Sequence, residues 1–459
     1  EIAQCLVGSE MCIRDSFNED PLFEDIKSNL GSNFTFQLEG EDTLVAEKLY
    51  LVSNEEEIAS QDTKYGVCLI TGKKGPLVRL TTATPIPGNS PAAALVGMQV
   101  NSGYDSYGKN QAYNAPISQE AEFCYTSALK SLLSKDSRNK FKVGDRIFLF
   151  WGAGENKIIS EVENAFWNFS NMEFEKNTDP NENLGKIEKL YQSIWSGSIK
   201  TTLDDRFYIL GLAPNTGRIA VVYWDDITLK DFSERLLQHF SDMEIADGRK
   251  PEKRKPYKGI YSMLSNITTS GKSSDAPAYL IEATLKSIIS SDDYPFALYT
   301  MALERIQNTL HEHTISIGTA SILKAYINRN TRNKNNIKPL EVMLDKTNDN
   351  PGYVCGRLTA VLEQIQSSAN GGDTIRTSFM TAASTTPTSV FPAMLSLSNH
   401  HLEKLSTGSR IYYERLKQEI FSLLPDSGFP TRLDLLDQGR FFIGYYHQRM
   451  DLFTKKEEK

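Results

Sequence analysis

Polar and apolar residues alternate in FTFQL (34–38), and YGVCLI (65–70) is a short apolar run closed by Thr71 and Gly72. Both patterns predict strands. The Pro- and Gly-punctuated stretch TPIPGNSPAAA predicts loop at least as far as Pro91. SQEAEFCYTSALKSLLS then carries an N-cap signal at Ser118 and the spacing of a helix that packs one face. IFLFW (147–151) predicts a buried strand.

RFYILGLAPNTGRIAVVYWDD holds two β-rich runs around Pro214, Asn215, Thr216 and Gly217, the pattern of a hairpin. TLKDFSERLLQHFSDM follows as a helix with Phe232, Leu236, Leu237 and Phe240 on one face. From about Ala276 the period is helical throughout, with helices expected near 276–290, 294–312, 316–330, 351–367, 387–403, 407–424 and 432–453. The fold class is therefore α+β: a mixed strand and helix N-terminal part, then an all-helical C-terminal bundle. The expected division is 17–154, 155–275 (acidic at first, then hairpin, helix and a basic loop), 276–338 (helical) and 339–459 (a second helical bundle), with the polar linker RNTRNKNNIKP at 329–339. No repeat of fixed period is visible.

A length of 459 residues exceeds one compact module and suggests about three domains. The 40% of apolar residues can fill real cores, which excludes wholesale disorder. No run approaches the ~20 apolar residues of a membrane-spanning helix. Cys5, Cys12, Cys68, Cys124 and Cys355 form no CxxC pair, so neither a disulfide framework nor a structural zinc site is expected, and a reducing, cytoplasmic setting fits. Residues 1–16, EIAQCLVGSEMCIRDS, do not read as a signal peptide. They resemble a translated adapter peptide, so the expectation is an artefact ahead of a chain truncated at its N-terminus.

Signals for catalysis fail one by one. GAGENK (152–157) follows a strand and precedes a helix, as a dinucleotide loop does, but Lys157 stands where the third glycine should let helix and strand pack. SGKSS (270–274) ends like a phosphate loop, yet Asn266 replaces its first glycine and LSNITTS is too polar for the strand before it. In GNSPA (88–92), Pro91 cannot supply the N–H expected after a nucleophilic Ser90. His311 and His313, like His400 and His401, diverge on a helix, and His239 and His447 sit in amphipathic helices as packing or surface residues. No HExxH spacing exists. The expectation is no enzyme, no cofactor and no metal; a nucleotide-binding enzyme using Gly152–Gly154 or Gly271–Ser273 stays as an alternative, as does a purely structural scaffold.

Charge changes the picture. The net −8 would argue against nucleic acid if it were even, but the basic residues cluster. RKPEKRKPYK (249–258) holds Arg249, Lys250, Lys253, Arg254, Lys255 and Lys258 against one Glu. Its prolines make it a loop whose charges project to neutralise phosphates, unless it is only a solvated linker. A second run holds Lys130, Lys135, Arg138, Lys140, Lys142 and Arg146 against two acids; the 329–339 linker, with Arg329, Arg332, Lys334 and Lys338, is a third. YGKNQAYN (107–114) offers Lys109, Asn110, Gln111 and Asn114 for base-edge contacts, against the alternative that Asn114-Ala115-Pro116 is a turn capping the next helix.

Six blocks then carry a resemblance: SYGKNQAYNAPIS, LLSKDSRNKFKVGDRIFLFW, FYILGLAPNTGRIAVVYW, NPGYVCGRLTAVLEQIQ, TIRTSFMTAASTTPTSVFPAMLSLSNHHLEKL and DLLDQGRFFIGYYHQR, in order along the chain. The chain resembles the large subunit of the type I-C CRISPR surveillance complex (Cascade), the Dvulg-subtype CRISPR-associated family. The resemblance implies a non-catalytic prokaryotic subunit of RNA-guided antiviral defence. It would contribute to reading the protospacer-adjacent motif, hold the opened target double-stranded DNA and offer a docking surface to a helicase-nuclease. The implied partners are crRNA-guided Cascade backbone subunits and a small subunit, with no membrane. It further implies that the small subunit starts inside this gene. Met343 is the expected start, since 343–459 balances thirteen Lys and Arg with thirteen Asp and Glu.

Overall fold

The computed structural model describes residues 37, 63–98, 100, 108–154, 157–171, 180–250, 253–310, 315–332, 338–372 and 374–453. The expected strand at 34–38 lies outside them apart from Gln37, as do residues 1–16. The architecture is α+β: two small sheets in the first half and, among the described residues, helices without strands in the second.

Strands β1 (Tyr65–Val67) and β2 (Lys74–Pro76) form an antiparallel pair. Helix α1 (Gln119–Leu133) starts where expected: the Ser118 hydroxyl accepts the Ala121 N–H at 3.3 Å. An antiparallel sheet follows in the order β3 (Lys140–Val143), β4 (Arg146–Gly152), β5 (Arg206–Asn215), β6 (Arg218–Thr228). The apolar run of β4 is continuous because both faces are covered from Ile147 to Phe150. Phe148 and Phe150 point to an inner face shared with Phe141, Phe207 and Ile209. Ile147 and Leu149 point to an outer face shared with Leu212 and Ile219, which Leu129 of α1 helps to cover.

Helices α2 (Lys157–Asn171) and α3 (Pro180–Trp195) occupy the acidic stretch, where the sequence pattern marks only a helix start after GAGENK and bounds no element. Phe166 and Phe169 of α2 fill the inner face together with Phe232 and Phe240 of α4 (Leu229–Met243). The rings interlock: Phe150 and Phe166 meet edge-on at 4.9 Å, and Phe207 stacks on Phe232 at 4.3 Å. The asparagines of 171–183 obscure this pattern in the sequence, although Ile159, Val162, Phe166 and Phe169 keep a helical period.

The second half contains α5 (Ile260–Ser265), α6 (Ala278–Ser290), α7 (Phe296–Thr309), α8 (Ile317–Thr331), α9 (Pro351–Asn370), α10 (Met380–Thr385), α11 (Pro387–Leu402), α12 (Thr407–Phe421) and α13 (Leu435–Phe453). At the start of α9 the Asn350 side chain accepts the Tyr353 N–H, Pro351 takes the first turn, and Gly371 ends the helix at φ +68°. Helix α9 is buried along most of its length, with Leu358, Val361, Leu362 and Ile365 fully enclosed. The last helix is tied to the middle of the chain as well. Tyr446 donates to the Ala246 carbonyl at 2.7 Å, and Tyr299 to the Leu435 carbonyl at 2.5 Å.

Candidate nucleic-acid interface

The 249–258 loop is knotted around one acid. Arg249 donates to the Asp247 carboxylate from Nε at 2.8 Å and Nη2 at 2.7 Å, and its backbone N–H adds a third bond at 3.1 Å. Arg254 stands 4.0 Å from the same carboxylate and donates to the Arg249 carbonyl at 3.1 Å. Burial pushes the Asp247 carboxyl up, but its bonds with Arg249 and the charge of Arg254 outweigh this and hold it below the usual range. Lys258 is buried against Glu188 at 2.8 Å. Free projection of all six charges is therefore corrected: Arg249, Arg254 and Lys258 hold the loop, while Lys250, Lys253 and Lys255 are exposed. Pro251 and Glu252 lie outside the described residues.

The second basic run divides the same way. KFKV is a strand that buries Phe141 and Val143, which sets Lys140 and Lys142 on the other side. Lys140 turns back to the end of α1, donating to the Leu133 carbonyl at 2.9 Å and to that of Ser134. A cation is favoured there by the unpaired carbonyls of a helix end. Arg146 pairs with Glu282 at 2.6 Å and Asp145 at 2.9 Å. Lys130, Lys135, Arg138 and Lys142 are exposed, with the Arg138 guanidinium 5.3 Å from the Trp167 ring centre.

The third run is structural where it is described. Arg329 is buried 2.6 Å from Asp242, Arg332 takes the other oxygen of that carboxylate, and Lys338 meets Asp345 at 2.6 Å. Lys334 lies outside the described residues.

Residues Gln111–Asn114 form a 3-10 turn. Asn114 Nδ2 donates to the carbonyls of Lys109 and Gln111, both at 3.0 Å, so its amide closes the turn. Gln111 is buried at φ +50°, and its Oε1 accepts Arg79 Nη1 at 2.7 Å. Lys109 and Asn110 are exposed. The turn borders a cleft of about 660 Å³ that also takes in Arg79 and, from the β5–β6 hairpin tip, Arg218. Neither arginine stands out in the sequence, because they meet only through folding.

Both glycine loops have internal uses. The Gly152 N–H donates to the Glu163 carboxylate at 2.8 Å and the Ala153 N–H to the Arg206 carbonyl at 2.8 Å. A Cβ on Gly152 would stand 2.4 Å from Ile159, so this glycine is what lets α2 approach the strand. In the 270–274 loop the Ser270 and Ser274 hydroxyls donate to Asp275 at 2.5 and 3.0 Å, which holds that carboxyl below its usual range. Ser90 is tied to the hairpin through its N–H, which donates to the Thr216 carbonyl at 3.1 Å.

His239 and His447 are core residues. His239 lies between the Tyr294 hydroxyl at 2.7 Å and the Lys258 carbonyl at 2.6 Å, and His447 Nδ1 lies 3.0 Å from the Tyr353 hydroxyl. Burial pushes both imidazoles down to about 3. His311 and His313 lie outside the described residues. Among the described residues no three His, Cys, Asp or Glu side chains stand together to hold a metal ion, and no helix is long and apolar enough to cross a membrane.

Residues 10–453 match the family described as CRISPR-associated protein (Cas_Csd1). The chain belongs to that family. The match runs through the sheet, the basic segments and the whole helical half, and it opens at residue 10, inside the 1–16 segment. No curated protein matches the chain. As a Cas_Csd1 member it is a CRISPR-associated protein of antiviral defence.

Proposed function

We propose that this chain is the non-catalytic large subunit of a type I-C Cascade complex. It contributes to recognition of the protospacer-adjacent motif, grips target double-stranded DNA and recruits a helicase-nuclease. Its partners are the crRNA-guided backbone subunits and the small subunit. Guide pairing supplies sequence specificity in such a system, and the protein reads a short duplex motif and holds backbone.

The observation that carries the DNA role is the trio Lys250, Lys253 and Lys255. All three are exposed on a loop anchored by the Asp247, Arg249 and Arg254 knot. Anchoring lowers the ordering cost when three ammonium groups meet phosphates, and such pairing releases counterions without reading bases.

The test is target binding by the assembled complex across a salt series. Replacing Lys250, Lys253 and Lys255 together by Ala should weaken binding alike for every motif sequence. The log–log salt slope should flatten by roughly one unit for each phosphate that is no longer neutralised. An unchanged slope would remove this loop from the DNA and favour a scaffold. ATP hydrolysis or DNA cleavage that follows the purified chain and is abolished by a point mutation would end the non-catalytic reading.

A further inference from the structure

The outer face of the four-stranded sheet is only partly covered. Toward β3 and the hairpin tip it packs under α1 and the loop that contains Ile86 and Ala93. At the opposite corner three aromatic rings lie side by side: Trp151 of β4, Tyr208 of β5 and Trp224 of β6. Trp151 and Tyr208 are 5.5 Å apart and inclined by 25°, and Tyr208 and Trp224 are 5.9 Å apart and inclined by 26°. Trp151 and Trp224 close the triangle at 5.9 Å. Trp224 is 54% exposed, as is Val221 beside it.

Backbone geometry places Trp224 on this face. Leu212 pairs with Val221 and Gly211 with Tyr223, so Val222 is an extra residue in β6. Ahead of this bulge Ile219 and Val221 face outward; beyond it Trp224 does. Tyr223 turns inward against Phe148 at 6.4 Å. Without the extra residue the indole would point into the phenylalanine core.

The charges beside the rings suit an anionic strand. The connection from α1 to β3 carries the exposed Lys135, while Arg138 on the same connection turns to the Trp167 ring of α2. The connection rejoins the sheet through Asn139, whose Nδ2 donates to the Phe150 carbonyl at 3.0 Å, one residue from Trp151. On the far side Asp226 is paired with Arg206, and Asp225 accepts a bond from the inward-turned Tyr223 hydroxyl at 3.1 Å. Clustered aromatic rings at an accessible edge of a sheet face are a means by which proteins stack unpaired bases.

We propose that Trp151, Tyr208 and Trp224 form a stacking platform for the unpaired bases of a single-stranded nucleic acid. The proposal rests on the DNA-binding reading above and deepens it: opened strand is held by its bases, at a place in the fold apart from the lysine loop.

The experiment uses the purified full chain, a labelled oligothymidylate, and a duplex of equal length, each titrated across the same salt series. Trp224→Ala and Tyr208→Ala should each weaken oligothymidylate binding by about 5- to 100-fold, with duplex binding and the melting temperature held. Trp224→Phe should restore most of the affinity, since any aromatic face stacks. Replacing Lys250, Lys253 and Lys255 should weaken duplex binding and flatten its salt slope, with oligothymidylate binding largely kept. Full-strength oligothymidylate binding by both alanine variants overturns the platform while leaving the duplex reading standing. So does wild-type binding of duplex without single strand. If Trp224→Ala instead blocks assembly with partner subunits and spares oligothymidylate binding, the face docks protein and the proposal is wrong.

Discussion

Gly356 on α9 lies so close to α13 that a Cβ added to it would stand 1.9 Å from the Phe441 carbonyl oxygen. The approach is reciprocal, for a Cβ on Gly444 would stand 2.2 Å from the Tyr353 carbonyl oxygen. Backbone meets backbone there, and neither side has a flexible atom to yield. Gly356→Ala should destabilise the protein by at least about 1–3 kcal/mol, the usual cost of overpacking, measured by urea unfolding. Gly408→Ala is the control: nothing lies within 4 Å of its added Cβ, so stability should hold or rise.

The α9–α13 packing lies wholly within residues 343–459, which bears on the internal start. Met343 is 67% exposed, in the segment between α8 and α9. A product beginning there should appear when the intact gene is expressed, and it should vanish in a Met343→Leu variant. Residues 343–459 expressed alone should unfold cooperatively. Absence of a short product from the wild-type gene would dispose of the idea.

Asp242 holds two arginines, Arg329 at 2.6 Å and Arg332 on its other oxygen, with Arg329 fully enclosed. Asp242→Ala leaves a buried guanidinium without its counter-charge. The expected loss is about 3–5 kcal/mol. Adding Arg329→Met should return part of it, because the stranded charge is then gone. Urea unfolding of the single and double variants checks both statements.

His239 and His447 make stability depend on pH. Each binds its proton near 6.5 when the chain is unfolded and only near 3 when folded. Between these values the unfolded chain holds the extra protons, so stability rises with pH. Their contribution is complete above pH 6.5 and is lost as pH falls toward 3. The slope of unfolding free energy should approach about 2.7 kcal/mol per pH unit for two such protons. His447→Gln should roughly halve it, measured by denaturation between pH 6.5 and 4.5.

Periodic and local features were legible in the sequence by itself. The α1 cap at Ser118, the 206–228 hairpin and the helices after Ala276 follow from short-range pattern, because each is fixed by neighbours within a few residues. Six blocks of sequence were enough to identify the family. Tertiary structure alone decided which charges are available. Arg254 and Lys253 are equivalent in composition, yet one is bound into the Asp247 knot and the other stands in solvent. Arg329 and Lys338 read as a polar linker until Asp242 and Asp345 are placed beside them. The same holds for the aromatic corner. Trp151 and Trp224 belong to runs that simply look buried, and it takes the pairing register with its extra residue at Val222 to turn both indoles to one open face. Hydrophobic periodicity is a property of adjacent residues, whereas ion pairing and face selection depend on segments that meet only when the chain is folded.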